Sequence, residues 1–423
     1  MDKFVINGSK PLAGSVQISG AKNASLALMP ATILAPGSYT LSNTPRLRDV
    51  TTMSNLLVSM GFKISHANHT MKVDSAHMTK FEAPYEHVKK MRASVYVLGP
   101  MLSRYGQAKV SLPGGCAWGP RPVNLHIEGM RKLGAEIDLE GGYIIAKARR
   151  LTGARILFDI SSVGATGNIM MAAVLAKGST TIENAAMEPE ITSLAEFLVK
   201  MGARISGSGT SIIEIEGVDE LRPADFTTIP DRIEAGTFLV AAAMAGRKGG
   251  KIRVEQCNPP HIGAITSKLE DAGAHMTIGK DFVELEPPGE IRPVNVTTGI
   301  YSGFPTDMQA QWIALMSLAN GPSIITETIY SDRFTHVPEL IRLGANVTVK
   351  ENIATVIGSS HLTGAKVMST DLRASASLIL AGLAAKGTTE VLRVYHIDRG
   401  YEHIETKLQG LGADISRVSG GEF

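Results

Sequence analysis

The sequence of 423 residues predicts an α/β protein in which one unit of about 70 residues occurs six times. Three observations predict it. A short motif around a glycine recurs at regular intervals, a helix rich in small residues precedes each of these glycines, and β-branched segments follow the helices. Self-similarity at a fixed period indicates a repeated supersecondary unit.

The recurring motif is an apolar residue, Gly, then Ala or Phe, any residue, and then Ile, Val or Met. Its six glycines are Gly61, Gly134, Gly202, Gly273, Gly344 and Gly412. They are spaced 73, 68, 71, 71 and 68 residues apart. Since glycine commonly ends a helix and an apolar β-branched residue favours a strand, each motif predicts a helix-to-strand junction.

A second helix begins 35 to 42 residues before each glycine. These helices are apolar nearly all round, which predicts burial on every side. Their first segments are Ala24–Leu28, Arg92–Tyr96, Gly167–Ala173, Ala235–Leu239, Met308–Trp312 and Arg373–Ser377. The unit is therefore predicted to run strand, buried helix, strand, amphipathic helix, strand, strand. A solenoid is the weaker alternative, because its repeats are about 20 to 45 residues long.

Six such units are too many to share one ordinary hydrophobic core, so the sequence predicts two domains of three units with a break near Thr228–Asp231.

The composition of 44% hydrophobic and 19% charged residues is typical of a folded soluble protein. A net charge of +2 gives no electrostatic reason to expect binding to nucleic acid or to an acidic membrane. We find no apolar run of membrane-spanning length and no signal-peptide pattern. The two cysteines, Cys116 and Cys257, lack the spacing of a metal site or a disulfide framework, which predicts a cytoplasmic protein.

Charged residues stand at the predicted helix starts, where unpaired N–H groups attract phosphate and carboxylate. Those at the buried helices are Lys22, Arg92, Asp231, Glu234, Asp307 and Arg373, and those at the amphipathic helices are Arg48, Asp49, Arg121, Arg333 and Arg399. Several cations at equivalent positions of a repeat indicate an anion site. For any single arginine, an ordinary salt bridge stays open as the alternative.

Cys116 lies in a segment with three glycines and three prolines, Leu112–Pro122, which predicts an exposed loop. A thiol near Arg121 can act as an acid or a nucleophile, although an incidental thiol is equally compatible with the sequence. Asp307 precedes a buried helix and is interpreted either as a helix cap or as a base for a substrate hydroxyl. No Walker loop, dinucleotide fingerprint or zinc-binding histidine spacing occurs, so we expect no cofactor and no metal.

Six segments together resemble the UDP-N-acetylglucosamine 1-carboxyvinyltransferases, a branch of the enolpyruvyl transferase family. They are Ser19–Ala24, Pro113–Cys116, Arg121–Val123, Phe304–Ala310, Thr370–Ser375 and His396–Tyr401. The resemblance covers essentially the whole chain. It implies an inside-out α/β barrel fold with two domains of three βαβαββ units, residues 21–229 and residues 1–20 plus 230–423, and an active site in the cleft between them.

The resemblance also implies the chemistry. Phosphoenolpyruvate is protonated at C3, the 3'-hydroxyl of UDP-N-acetylglucosamine attacks C2, and phosphate leaves, which is the first committed step of peptidoglycan synthesis. Catalytic roles are implied for Lys22, Cys116, Asp307 and Arg399, with Cys116 as the proton donor and the target of fosfomycin-like epoxides. The implied substrate-binding residues are Lys22, Asn23, Arg92, Arg121, Pro122, Val123, Asn124, Leu125, Ser162, Val163, Gly164, Asp307, Ile329, Arg333, Arg373 and Arg399.

The chain departs from the usual family pattern near the nucleotide. Ile160 stands where many relatives have Lys, Asn124 replaces a common Asp, and Trp118 and Pro120 lie beside Cys116. Two alternatives stay open. One is 5-enolpyruvylshikimate-3-phosphate synthase, which shares the donor but lacks the cysteine loop, and the other is an inactive relative that binds a nucleotide sugar.

Overall fold

A computed structural model of the chain describes residues 2–89, 91–112, 123–246 and 250–419. The chain divides into two compact units: Gly20–Ile229, called here the middle unit, and Met1–Ser19 together with Pro230–Phe423, called here the terminal unit. Within the described residues, no helix combines the length and the apolar character needed to cross a bilayer.

The strands of the described residues are β1 Asp2–Asn7, β2 Gly14–Gln17, β3 Ser38–Ser42, β4 Lys63–Ala67, β5 Thr70–Asp74, β6 Glu82–Ala83, β7 Gln107–Ser111, β8 Glu136–Glu140, β9 Tyr143–Lys147, β10 Arg155–Leu157, β11 Ser179–Glu183, β12 Arg204–Ser206, β13 Ile212–Glu216, β14 Phe226–Thr227, β15 Ile252–Glu255, β16 His275–Ile278, β17 Phe282–Glu286, β18 Val296–Thr297, β19 Pro322–Thr326, β20 Asn346–Lys350, β21 Ile353–Ile357, β22 Lys366–Met368, β23 Thr388–Leu392 and β24 Asp414–Ser419.

The α-helices of the same residues are α1 Lys22–Ala31, α2 Arg48–Ser59, α3 Tyr85–Val88, α4 Leu98–Tyr105, α5 Asn124–Lys132, α6 Val163–Ala173, α7 Pro189–Lys200, α8 Arg232–Ala245, α9 Gly263–Asp271, α10 Gln309–Met316, α11 Val337–Arg342, α12 Leu372–Ala384 and α13 Ile404–Gly410. Short 3₁₀-helices span Thr32–Leu34, Arg92–Val97, Pro259–Ile262, Thr306–Met308 and Val394–Arg399.

In the part of the chain that the structure describes, these strands form six separate four-stranded sheets with one common order. In the sheet β10-β11-β13-β12, for example, β10 and β11 are parallel, while β13 is antiparallel to both β11 and β12. The buried helix α6 connects the two parallel strands, and α7 leads to the closing hairpin. This arrangement is the predicted strand–helix–strand–helix–strand–strand unit.

Strands from distant parts of the chain complete three of the sheets. In the middle unit β14 pairs with β3, so the last strand of this unit completes the sheet of its first repeat. In the terminal unit β2 pairs with β15, and β1 lies between β23 and β24. The sheets of both units therefore include strands brought together from opposite ends of the unit.

The buried helices lie at the centre of each unit. In the terminal unit α8, α10 and α12 pack against one another, and almost all of their residues are buried. In the middle unit α4 packs against α6, and α1 packs against the 3₁₀-helix Arg92–Val97. Each unit has its own apolar core. The α/β class and the repeated βαβαββ unit are confirmed, with helices inside and separate sheets, not a closed barrel, outside.

The six motif glycines all adopt the left-handed backbone conformation, with φ between +89° for Gly344 and +111° for Gly61. Each follows the second helix of its repeat and leads into a strand. A side chain at such a φ strains the backbone, so the recurrence of glycine at this position has a conformational cause.

Gly134→Ala is expected to destabilise the protein by about 1–2 kcal/mol through backbone strain alone. A Cβ added at Gly134 (φ +92°) meets no atom within 4 Å, so no steric clash contributes. Gly263→Ala is the matched control, because its Cβ also meets open space while its φ is −53° at the start of α9. Urea unfolding should show a lower midpoint for Gly134→Ala only. Equal midpoints for the two variants would contradict the strain argument.

Candidate active site

Asp307 lies between two arginines of the terminal unit. Its Oδ1 accepts a hydrogen bond from Arg333 Nη2 at 2.7 Å, and its Oδ2 accepts one from Arg373 Nη2 at 2.7 Å. The side chain of Asp307 is 27% exposed, whereas those of Arg333 and Arg373 are 9% and 5% exposed. Two charge-assisted hydrogen bonds stabilise the ionised carboxylate and fix its plane. A partly exposed, oriented carboxylate is suited to accept a hydroxyl proton.

A comparison with Asp371 distinguishes Asp307 from a helix cap. Asp371 Oδ1 accepts hydrogen bonds from the backbone N–H groups of Arg373 and Ala374, so it caps α12. Burial raises the pKa of Asp371. At the corresponding place before α10, the N-cap positions Pro305 and Met308 make no side-chain capping bond. The carboxylate of Asp307 is directed to the two guanidinium groups instead.

Burial is the largest single influence on Arg373 and lowers the pKa of the guanidinium, but Asp307, Tyr401 and Asp231 together outweigh it, and the pKa is raised. Arg373 therefore carries a fixed positive charge, although its side chain is almost inaccessible. A buried cation of this kind requires a partner. Asp307 is that partner, which explains how a charge can open the apolar helix α12.

Glu327 anchors the other arginine. Arg333 Nη1 donates to Thr306 Oγ1 at 2.9 Å, and Thr306 Oγ1 donates to Glu327 Oε2 at 2.8 Å. Glu327 Oε1 also accepts hydrogen bonds from Thr298 Oγ1 and from the backbone N–H groups of Ile329 and Tyr330. Glu327 is 1% exposed. It therefore fixes both the side chain that holds Arg333 and the backbone at Ile329, whose side chain is 46% exposed.

In the middle unit, Lys22 and Arg92 begin two packed elements, α1 and the 3₁₀-helix Arg92–Val97. Lys22 Nζ lies 3.8 Å from Asp49 Oδ2 of α2, and both side chains are largely buried. Asn23, the next residue of α1, is half-buried. The start of α1 thus carries a lysine held by a buried carboxylate, an arrangement suited to a small anion.

The predicted residues around α5 and α6 lie beside a buried histidine. Ser162 caps α6 by accepting from Ala165 N, and the carbonyl of Val163 accepts from the hydroxyl of Tyr96 at 3.2 Å. A Cβ placed on Gly164 would stand 3.3 Å from Nε2 of His126. Glycine at this position therefore leaves room for the imidazole ring.

His126 itself is neutral at physiological pH. Burial lowers its pKa to about 4. Its Nδ1 pairs with Asn168 Nδ2 at 3.0 Å, and Asn168 also donates to the carbonyl of Val95. His126 is the third residue of α5 and directly follows the predicted residues Val123, Asn124 and Leu125, so this network ties the start of α5 to α6.

Two predicted arginines do not stand at helix starts. Arg333 precedes α11 by four residues, and Arg399 ends the 3₁₀-helix Val394–Arg399, five residues before α13. For Arg333, hydrogen bonds to Thr306 and Asp307 hold the side chain in place. Ile160, one of the departures, is 61% exposed. Cys116, Arg121 and Pro122, with Trp118 and Pro120, lie outside the described residues.

The model of the EPSP synthase (3-phosphoshikimate 1-carboxyvinyltransferase) family matches residues 6–408 of the chain. The chain belongs to this family of enolpyruvyl transferases. It is 60% identical over 426 aligned residues to the UDP-N-acetylglucosamine 1-carboxyvinyltransferase of Chloroherpeton thalassium, covering 100% of the chain and 99% of that protein. It is 55% identical to the enzyme of the same name from Trichlorobacter lovleyi, covering 99% of the chain and all of that protein. The chain is thus a transferase.

Solved structures of enolpyruvyl transferases share the fold. The enolpyruvyl transferase NikO from Streptomyces tendae superposes with a TM-score of 0.89 at 27% identity, and each chain is covered to 99%. EPSP synthase from Acinetobacter baumannii superposes with a TM-score of 0.76 at 17% identity, with 99% of this chain and 100% of that chain covered. The second likeness concerns the fold alone.

Sequence reasoning missed several residues that organise the site. Glu327, His126 and Asn168 lie outside the six segments that carry the resemblance, and Thr306 lies in one of them without a predicted role. Thr306 is 21 residues from Glu327, and His126 is 42 residues from Asn168. Tyr401 belongs to the segment His396–Tyr401, but no role was predicted for it. The sequence shows each of these residues only as a polar residue in a mostly apolar stretch. This pattern suggests a buried hydrogen bond but does not identify the residue that makes it.

Proposed function

We propose that this enzyme transfers the enolpyruvyl group of phosphoenolpyruvate to the 3'-hydroxyl of UDP-N-acetylglucosamine, with release of phosphate, in the cytoplasm, as the first committed step of peptidoglycan synthesis. Full-length relatives of that name at 55–60% identity support this acceptor. The observation that carries the chemistry is the partly exposed carboxylate of Asp307, oriented by ion pairs with Arg333 and Arg373. A transfer to a hydroxyl needs such an oriented base.

In the proposed addition step, the thiol of Cys116 donates a proton to C3 of phosphoenolpyruvate, and the acceptor oxygen forms a bond to C2. The hydroxyl proton passes to a carboxylate oxygen of Asp307. In the elimination step, C3 gives a proton back to the thiolate of Cys116, the electron pair of that C–H bond re-forms the C2–C3 double bond, and the C2–O bond to phosphate breaks. The proton held by Asp307 then passes to water, which restores both side chains. The donor carries a carboxylate and a phosphate. Positively charged side chains held in fixed positions are therefore needed to bind the donor and to stabilise the charge that develops in the transition state.

We propose that Lys22, Arg121 and Arg399 bind the carboxylate and phosphate of the donor, with Asn23 beside them. The nucleotide sugar is proposed to contact Arg92, the segments 121–125 and 162–164, Ile329 and the arginines at Asp307. Lysine binds an anion as a compact charge, whereas arginine binds it through two parallel hydrogen bonds.

Phosphate release measured with each acceptor tests the proposed reaction. Purified protein is supplied with phosphoenolpyruvate and either UDP-N-acetylglucosamine or shikimate 3-phosphate. We expect release with the nucleotide sugar only. Release with shikimate 3-phosphate only would show that the protein is a 5-enolpyruvylshikimate-3-phosphate synthase. No release with either acceptor would favour an inactive relative that only binds a nucleotide sugar.

The role of Cys116 has its own test. Because the thiol is the proposed proton donor, Cys116→Ser should lose most of its turnover and should no longer gain the mass of an epoxide inhibitor. Cys257→Ser is the control, since Cys257 is buried in the terminal unit and donates to the carbonyl of Val254. Unchanged turnover and labelling in Cys116→Ser would contradict the proposed role.

A further inference from the structure

A buried polar network lies on the side of Arg373 that faces away from Asp307. Arg373 Nη1 lies 3.2 Å from the hydroxyl of Tyr401, which is 2.8 Å from Thr237 Oγ1. Gln311 Nε2 lies 3.2 Å from both of these hydroxyl oxygens. All four residues are at most 4% exposed. They come from α8, α10, α12 and the segment before α13, so the network joins the three central helices of the terminal unit.

The direction of each hydrogen bond follows from the donors available. Thr237 Oγ1 donates its single proton to the carbonyl of Ile233 at 2.7 Å, so it accepts from Tyr401. The phenolic oxygen of Tyr401 then accepts from Arg373 and Gln311 and uses both of its lone pairs. Burial raises the pKa of Tyr401, which keeps the phenol protonated and able to donate. The hydroxyl of Tyr401 therefore makes all the hydrogen bonds that it can.

The network fixes how the guanidinium of Arg373 is rotated. One terminal nitrogen is bound to Asp307 and the other to Tyr401, and two fixed points on a planar group define its orientation. Without the hydroxyl of Tyr401, the second nitrogen is left buried with one acceptor fewer, which favours rotation of the guanidinium. Such a rotation moves the nitrogen that orients the carboxylate of Asp307.

We propose that Tyr401 is a positioning residue: its hydroxyl locks Arg373 so that Asp307 faces the acceptor hydroxyl in the reactive orientation. This inference rests on the proposed function of Asp307. A small displacement of a reacting group lowers turnover strongly while leaving substrate affinity nearly intact. Tyr401 thus acts on the reaction through Arg373 without touching the substrate.

Tyr401→Phe should lower kcat about 10- to 100-fold, because misplacement of a catalytic group by about 1 Å costs up to about 100-fold. The KM for UDP-N-acetylglucosamine should rise by a smaller factor than kcat falls, because Arg373 keeps its charge beside the proposed nucleotide-sugar site while Asp307 loses its orientation. The matched control is Tyr39→Phe in the middle unit. Tyr39 is also buried and loses one hydrogen bond, to the carbonyl of Ala35 at 2.7 Å. Its kcat should stay within about twofold of the wild type, since Tyr39 has no link to Asp307.

A double-mutant cycle separates positioning from a general loss of structure. In an Asp307→Asn background, Tyr401→Phe should lower kcat no further, because its effect passes through the carboxylate that is already lost. An equal loss in both backgrounds, or an unchanged kcat in the single variant, would overturn the inference. A wild-type enzyme that releases no phosphate would contradict the proposed function instead.

Unfolding supplies a readout that does not need turnover. The urea midpoints of Tyr401→Phe, Arg373→Lys and the double variant should show a combined decrease smaller than the sum of the single decreases, because both changes break the same contact. Tyr39→Phe combined with Arg373→Lys should be additive. Additive midpoints for the Tyr401 pair would show that the hydroxyl does not hold Arg373, and the inference would fall whatever the activity.

Discussion

Asp307→Asn is expected to lower kcat about 10²- to 10⁴-fold, the usual contribution of a general base. The amide keeps the size of the side chain and one oxygen acceptor, but it cannot take up the hydroxyl proton of the sugar. The KM for UDP-N-acetylglucosamine should change little if Asp307 acts in the transition state. A raised KM with an unchanged kcat would show that Asp307 only binds substrate, and the proposed base would be wrong.

Steady-state kinetics of phosphate release measures both constants, and an equivalent change elsewhere controls for the loss of a carboxylate. Asp225→Asn in the middle unit is suitable, because Asp225 is exposed and its Oδ1 accepts from the backbone N–H of Thr40 at 2.7 Å. An asparagine oxygen can accept the same hydrogen bond. Turnover of Asp225→Asn should equal that of the wild type. A similar loss in both variants would indicate a general effect of removing negative charge.

The periodic features of this fold could be predicted from the sequence because they repeat one physical requirement. Each copy must end its second helix with a left-handed residue, so glycine recurs at Gly61, Gly134 and their counterparts. Each central helix packs on all sides, so its sequence is apolar all round. Both requirements depend on neighbouring residues and recur in every repeat. They therefore produce a periodic pattern of glycines and apolar helices that is visible in a single sequence.

The polar networks could not be predicted, because each is formed once and by residues far apart in the chain. Asp307 and Asp371 stand at similar places before central helices, yet one is bound by two arginines and the other caps a helix. Both are aspartates near the start of a central helix, Asp307 within the 3₁₀-helix Thr306–Met308 and Asp371 directly before α12. The sequence does not show which side chain a distant segment contributes, such as Arg373, 66 residues from Asp307. Only the folded chain decides between the two roles.

A buried ion pair in the terminal unit shows the same limit. Glu234 of α8 and Lys407 of α13 are separated by 173 residues, and Lys407 Nζ lies 2.7 Å from Glu234 Oε1. The other oxygen of Glu234 accepts from the backbone N–H of Ser19, and Lys407 also donates to Ser19 Oγ. The side chains of Glu234 and Lys407 are 2% and 18% exposed. The pair therefore ties the segment that ends at Ser19 to two helices of the same unit.

Lys407→Met is expected to destabilise the protein by about 3–5 kcal/mol at neutral pH, the usual cost of removing one partner of a buried pair. The carboxylate of Glu234 then stays buried without its cation. Adding Glu234→Gln to Lys407→Met should recover much of the loss, since no buried charge is left. Lys10→Met is the matched control, because it breaks an exposed ion pair with Asp414 and should change the urea midpoint little.

The loss in Lys407→Met should also depend on pH, and the sign follows from Glu234. Burial raises the pKa of Glu234 above its ordinary value of 4.5, and Lys407 opposes this shift. In the variant the opposition is gone, so the folded protein binds the proton of Glu234 more tightly than the unfolded chain does. Unfolding then releases a proton, and stability falls as the pH rises from 4.5 through the raised pKa. Urea midpoints measured from pH 5 to pH 8 should therefore diverge from the wild type toward high pH, whereas a constant difference would mean that Glu234 does not carry the buried charge.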